Sequence, residues 1–156
     1  MKIRRIQEAD LWTVAYIIRR NLDEVMAEQH SPAVIEKYKN QNTQEKLLKQ
    51  MDWKEIYVVE DHSGIIATGA IASFGGQNKP RYSISNFFVK PELQHKGVGK
   101  LLMEHLLNEA RKKNALTLHV PSSNNAVAFY EKMGFVTDKI QDDREDEITW
   151  LTMAMK

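Results

Sequence analysis

Apolar positions keep a helical spacing at the start of the chain, switch to strand spacing in the middle, and then exchange the two toward the end. The segment KIRRI alternates and predicts a short first strand. Leu11, Val14, Ala15, Ile18, Leu22 and Val25 then form one helical stripe, and Asp10 in front of them predicts an N-cap. Ser31-Pro32 predicts a capped second helix running towards Tyr38. Asn42 with Glu45 has the spacing of a capping box ahead of Leu47 and Leu48. From Glu55 the period is that of strands: EIYVVE, the turn DHSG and IIATGAIASF predict a hairpin. A loop from Gly75 to Pro80 leads to the strand YSISNFFV, which Pro91 stops. Residues 97 to 113 return to helical spacing, with Val98, Leu102, Leu106 and Ala110 on one stripe. LTLHV predicts a strand, Ser122 to Met133 a helix closed by Gly134, and FVTDK and EITWLTMAM the last strands. This order predicts an α/β layered domain with parallel and antiparallel pairs in one sheet.

Composition narrows what such a fold does. The chain has 156 residues, 42% of them hydrophobic, which predicts a single domain over residues 1–156 with a real core. A formal net charge of +1 gives no field for nucleic acid or an anionic membrane. With no cysteine, disulfides, zinc–thiolate sites and a cysteine nucleophile are all excluded. The five histidines, at 30, 62, 95, 105 and 119, have no ligand spacing, so no metal is expected. The opening MKIRRIQEAD has no apolar stretch behind it, and no apolar run approaches the ~18 residues of a membrane span. The expectation is a cytoplasmic protein without membrane or nucleic-acid partners.

The stretch with most chemistry is Gln94-His95-Lys96-Gly97-Val98-Gly99-Lys100, between a strand and an amphipathic helix. Free N–H groups at a helix start point outward, and the helix dipole adds partial positive charge there. Glycines let the backbone approach a bulky phosphate. Lys96 and Lys100 add charge, and Gln94 adds an amide. By itself the pattern equally describes a tight helix entry with no ligand. A dinucleotide fold fits poorly, because GVGKLL lacks the third glycine of its fingerprint, and no Walker loop exists.

The segment FFVKPELQHKGVGKLLMEHLLNEARKKN resembles motif A of the GNAT acetyltransferases, and VPSSNNAVAFYEKMGF resembles their second signature, in the same order and spacing. The resemblance covers residues 86 to 135. It implies the GNAT fold: a mixed six- to seven-stranded sheet flanked by helices, its parallel fourth and fifth strands splayed apart. It further implies an enzyme that moves an acetyl group from acetyl-CoA directly to a primary amine. The pyrophosphate would rest on the backbone from His95 to Lys100, with Gln94 beside it. A bulge would free main-chain groups near Phe88 and Val89 for the pantetheine amides.

The family's proton donor to the leaving sulfur maps to Tyr130. Its frequent glutamate base has no counterpart, since Ser85 and Asn86 occupy that neighbourhood; His119, able to titrate near neutrality, is the candidate base. The family's frequent asparagine falls on Ser123, which reaches less far. The acidic run Asp142, Asp143, Arg144, Glu145, Asp146 and Glu147 reads either as an attractor for a cationic amine or as a solvated hairpin loop. Protein lysine, protein N-terminus, polyamine, amino acid and drug amine all stay open as acceptors, as does a homodimer. A coenzyme-binding sensor that has lost catalysis is the alternative function.

Overall fold

The structure, a computed structural model, describes residues 1–74 and 80–155, without the side chains of 140–143. The expected loop thus lies outside the described residues except for Pro80. In chain order the elements are β1 (Lys2–Arg5), α1 (Leu11–Asn21), α2 (Pro32–Gln41), α3 (Gln44–Gln50), β2 (Glu55–Asp61), β3 (Gly64–Ser73), β4 (Arg81–Val89), α4 (Val98–Lys112), β5 (Thr117–Ser122), α5 (Val127–Lys132), β6 (Val136–Asp143) and β7 (Ile148–Ala154). Among the described residues the strands form one sheet in the order β1-β2-β3-β4-β5-β7-β6. Among these residues only β4 and β5 pair in parallel. No helix among these residues is long and apolar enough to cross a membrane.

Strand alternation sorts the core into two layers. On β2, Tyr57 and Val59 join the cluster under α4, with Leu102, Met103 and Leu106; Ile56 and Val58 join the cluster under α1, with Val14, Ile17 and Ile18. Helices therefore cover both faces, as a sheet apolar on both sides requires. Each fully buried Leu or Ile in these layers contributes roughly 1.5–3 kcal/mol relative to exposure.

Two expected caps are corrected. A 3₁₀ turn over Glu8–Asp10 starts the helical path one turn early, so Asp10 does not cap α1. Its carboxylate instead accepts from Arg4 at 2.7 and 3.1 Å and from the Gln7 N–H at 2.8 Å. Thr43, not Asn42, caps α3, accepting from the Lys46 N–H. The expected helix from Ser122 begins later: Ser122 ends β5, and a 3₁₀ turn over Asn124–Ala126 precedes α5.

Candidate active site

Parallel pairing between β4 and β5 lasts only from Arg81–Thr117 to Ser83–His119. Beyond it the strands part, because β4 bulges. Thr68 faces Phe88 and Ala70 faces Ser85, so Asn86 and Phe87 together oppose the single residue Gly69. Asn86 takes φ 51°, in the left-handed region that Asn tolerates best after Gly. Gly69 is needed opposite, since a Cβ there would stand 3.0 Å from the Phe87 ring and 3.1 Å from Leu102. The gap opens into a cleft of ≈ 940 Å³, within the range of ligand sites.

The ladder alternation settles which main-chain groups meet this gap. The Lys90 N–H bonds the Ile66 carbonyl, which turns the groups of Phe88 towards β3 and those of Phe87 and Val89 towards the gap. The expected main-chain contact through Phe88 does not fit this orientation, since its groups are spent on β3. Phe88 still lines the cleft. The Val89 carbonyl accepts from Asn21 at 2.9 Å and from Gln94 at 3.3 Å, which leaves its N–H as the open group.

The α4 entry lies at the mouth of the cleft. The chain passes through left-handed φ at His95 (63°) and at Gly97 (89°), the N-cap. No side chain caps α4, and its ladder begins with the Leu101 N–H on the Gly97 carbonyl. The N–H groups of Val98, Gly99 and Lys100 lie ahead of that ladder, where the helix dipole favours an anion. His95, Gly97, Gly99 and Lys100 line the cleft; Lys96 is exposed on the loop, and the Val98 side chain is in the core. Gln94 does not offer its amide to a ligand: Nε2 donates to Asn21 Oδ1 at 2.7 Å and ties the loop to α1. Arg20 braces the same loop through Glu92 at 2.9 Å.

Tyr130 lines the opposite wall and is buried against the ring edges of Phe87, Phe129 and Phe135. Burial pushes its phenol well above the ordinary tyrosine range, so it stays protonated and keeps a proton to donate. Gly134, left-handed, ends its helix as expected, with the Phe135 N–H on the Tyr130 carbonyl. Ser123 also lines the cleft, but its hydroxyl donates to Asn125 at 2.7 Å and caps no backbone group.

His119 is corrected as a base. It lies outside the cleft lining, its Nε2 meets Thr117 Oγ1 at 2.9 Å, and its ring stands edge-on to Phe74. Strand alternation explains this, because Leu118 and Val120 share the α4 side and His119 takes the other. Burial further lowers its pKa.

The acceptor end carries residues the sequence pattern did not single out. Lys54 Nζ donates to Ser85 Oγ at 3.0 Å and to Asn86 Oδ1 at 2.9 Å. The Asn86 amide donates to Asn42 Oδ1 at 2.9 Å and to Gln50 Oε1 at 3.1 Å. All five side chains line the cleft, and no Asp or Glu among the described residues does. The acidic run does not supply one. Asp146 holds Lys37 at 2.6 Å, and Glu147 accepts from the Ser31 N–H at 3.0 Å beside His30 Nδ1 at 2.9 Å. The side chains of Asp142 and Asp143 lie outside the described residues. The reading of this run as a cation attractor is therefore withdrawn for Asp146 and Glu147, which knit loops together.

The sequence family described as acetyltransferase (GNAT) domain matches residues 25–156. A ribosomal-protein bS18 alanine N-acetyltransferase of Escherichia coli K12 is 38% identical across 42% of this chain and 51% of that protein. The peptidyl-lysine N-acetyltransferase YjaB of Salmonella typhimurium is 43% identical across 36% of this chain and 38% of its own length. The chain thus spans about half or less of these curated relatives. PaiA N-acetyltransferase of Thermoplasma acidophilum, solved with coenzyme A, superposes with a TM-score of 0.81 at 23% identity, covering 99% of this chain and 98% of that one. That likeness is one of fold, down to the parallel β4–β5 pair inside a mixed sheet. With the family matching most of its length, this chain belongs to the GNAT acetyltransferases.

Proposed function

We propose that the protein transfers the acetyl group of acetyl-CoA to a primary amine within one ternary complex. The observation that carries this reading is the splayed β4–β5 gap, with an uncapped helix start at its mouth and a buried neutral phenol on its wall. The coenzyme pyrophosphate would rest on the N–H groups of Val98 to Lys100, beside the Lys100 charge. The pantetheine would run along the open groups of Phe87 and Val89. The amine attacks the thioester carbonyl, the N–C bond forms, the C–S bond breaks, and Tyr130 protonates the departing sulfur. With no cysteine in the chain, no cysteinyl intermediate intervenes.

The acceptor wall supports an amine held by neutral carboxamides and a hydroxyl rather than by carboxylates. By name the relatives act on an alanine of ribosomal protein bS18 and on peptidyl lysine, so both belong in the test. Acetyl-CoA is incubated with alanine-initiated peptides, lysine peptides, polyamines and free amino acids, and thiol release and product mass are read together. Amine-dependent thiol release with an acetylated product is expected. Tight coenzyme binding with no product from any amine would replace this reading with the sensor.

A further inference from the structure

A transferase of this kind must remove a proton from its acceptor, because an ordinary alkylamine is almost wholly protonated at neutral pH. The usual groups for that step are missing here. Among the described residues no carboxylate lines the cleft, His119 lies outside it, and Tyr130 is a donor. His95 belongs to the loop at the helix start, and Lys100 and Lys132 are exposed. We propose that Lys54 is the general base, taking the proton from the acceptor's ammonium on its own unprotonated Nζ. This rests on the acetyl-transfer reading.

The hydrogen-bond geometry favours the neutral amine. Both Asn86 N–H donors go to Asn42 and Gln50, so Asn86 Oδ1 can only face Lys54 and Ser85. The Ser85 hydroxyl spends its proton on that same oxygen at 3.0 Å, which leaves Ser85 Oγ an acceptor for Lys54. Lys54 thus has two acceptors. A neutral amine has two N–H groups and one lone pair; two donations leave the lone pair as the open vertex on a cleft-lining nitrogen. An ammonium would carry a third N–H and a charge that no carboxylate answers. The neighbouring acid, Glu55, is engaged by Lys113 at 2.6 Å, Tyr57 at 3.0 Å and Arg5 at 3.8 Å.

One contact works the other way. The Trp53 ring centroid is 4.8 Å from Nζ and favours the cation. Trp53 is 63% exposed, where such a contact holds the cation only weakly. Desolvation outweighs it and pulls the Lys54 amine down to about 8. Roughly a quarter of the molecules then carry the free base at pH 7.5, against about one in a thousand for an ordinary lysine. The protons balance simply. Lys54 takes one from the acceptor's ammonium and later returns it to water through the open cleft. After N–C bond formation the acceptor nitrogen sheds a second proton to cleft water, Tyr130 gives its proton to the thiolate, and the phenolate is reprotonated from that water.

The test compares the wild type with Lys54→Arg, which keeps the charge and the donors but cannot become a base. kcat/KM is measured from pH 6 to 10 with the best acceptor of the amine panel. The wild type, drawing on the acceptor's ammonium, should rise about tenfold per unit up to pH 8 and then level, whereas Lys54→Arg, left with free amine alone, should keep rising to the acceptor's own pKa. The ratio of wild type to variant should therefore be ~10² or more below pH 8 and shrink above it. Coenzyme A affinity by calorimetry should stay within twofold. In Lys54→Ala, trimethylamine, which cannot itself be acetylated, should restore part of the rate. Independently of any acceptor, acetic anhydride labelling of the wild type across pH, read on the Lys54 peptide, should show a midpoint near 8. A Lys54→Arg enzyme within threefold of wild type at every pH would overturn the proposal and leave acetyl transfer standing. So would a labelling midpoint matching the surface lysines. Failure of every amine in the panel would instead overturn the transfer reading itself.

Discussion

A single hydroxyl separates a packing role from a chemical one at Tyr130. Its ring touches Phe87, Phe129 and Phe135, so Tyr130→Phe keeps the packing of α5. Stability should therefore change little, while kcat falls about 10²-fold and coenzyme affinity stays within a few-fold. An unchanged kcat, with chemistry rate-limiting, would make the residue purely structural. Asp10 is the opposite case, a carboxylate with a structural duty far from the cleft. Arg4, hydrogen-bonded to it, holds its carboxyl below the usual carboxylate range. The folded pKa lies under the unfolded one, so this stabilisation is full above pH ~4 and is lost as pH falls through the folded value. Asp10→Asn should cost about 1–3 kcal/mol in urea denaturation at pH 7, with the gap to wild type closing in acid. A gap that persists unchanged at pH 2 would contradict this. The resemblance of FYEKMGF to the family signature named Tyr130 correctly as a cleft residue, while residue type alone misplaced the base at His119. The alternation of LTLHV, which sends His119 away from Val120, was the available signal. Lys54 had no such signal. Its neighbours Met51, Asp52, Trp53 and Glu55 keep no regular apolar spacing, and its burial comes from α2, α3 and β4 meeting around it.

At the scale of elements, hydrophobic spacing made strands and helices legible because each buries one regular face. The α4 entry was legible too, because its glycine marks a conformation that other residues reach only with strain. Caps were less so, since a local bond competes with a distant one. Asn42 is diverted to Asn86 across the cleft, and Thr43 one residue later caps α3 instead. The β4 bulge was expected near Phe88 and lies at Asn86–Phe87, where the tolerance of Asn for positive φ was the only local hint. That bulge depends on Gly69. Gly69→Ala should push Phe87 and Leu102 apart and cost about 1–3 kcal/mol by overpacking. Coenzyme affinity should fall with it, because the open groups of Phe87 and Val89 shift. An unchanged denaturation midpoint together with native affinity would show that the bulge does not need the glycine.

For the whole molecule, the cleft is where three otherwise separate pieces of chain converge. His30 sits at their junction, with Glu147 from the β6–β7 connection at 2.9 Å and the Asn124 N–H donating to its Nε2 at 3.2 Å. Such a bond needs His30 neutral at Nε2 and protonated at Nδ1. His30→Ala should loosen the acceptor wall and raise the acceptor KM several-fold, with coenzyme affinity within twofold; equal losses in both would mean a general loss of fold. The central claim, however, is that the α4 entry receives the coenzyme pyrophosphate. Gly97 tests it most directly. A Cβ there meets nothing within 4 Å, so Gly97→Asp has room at its Cβ and sets a carboxylate beside the anion site, with a backbone cost of about 1–2 kcal/mol at φ 89°. Titration calorimetry with coenzyme A should show at least a tenfold loss of affinity in this variant, while circular dichroism remains native. Wild-type affinity in a folded Gly97→Asp protein would contradict the account.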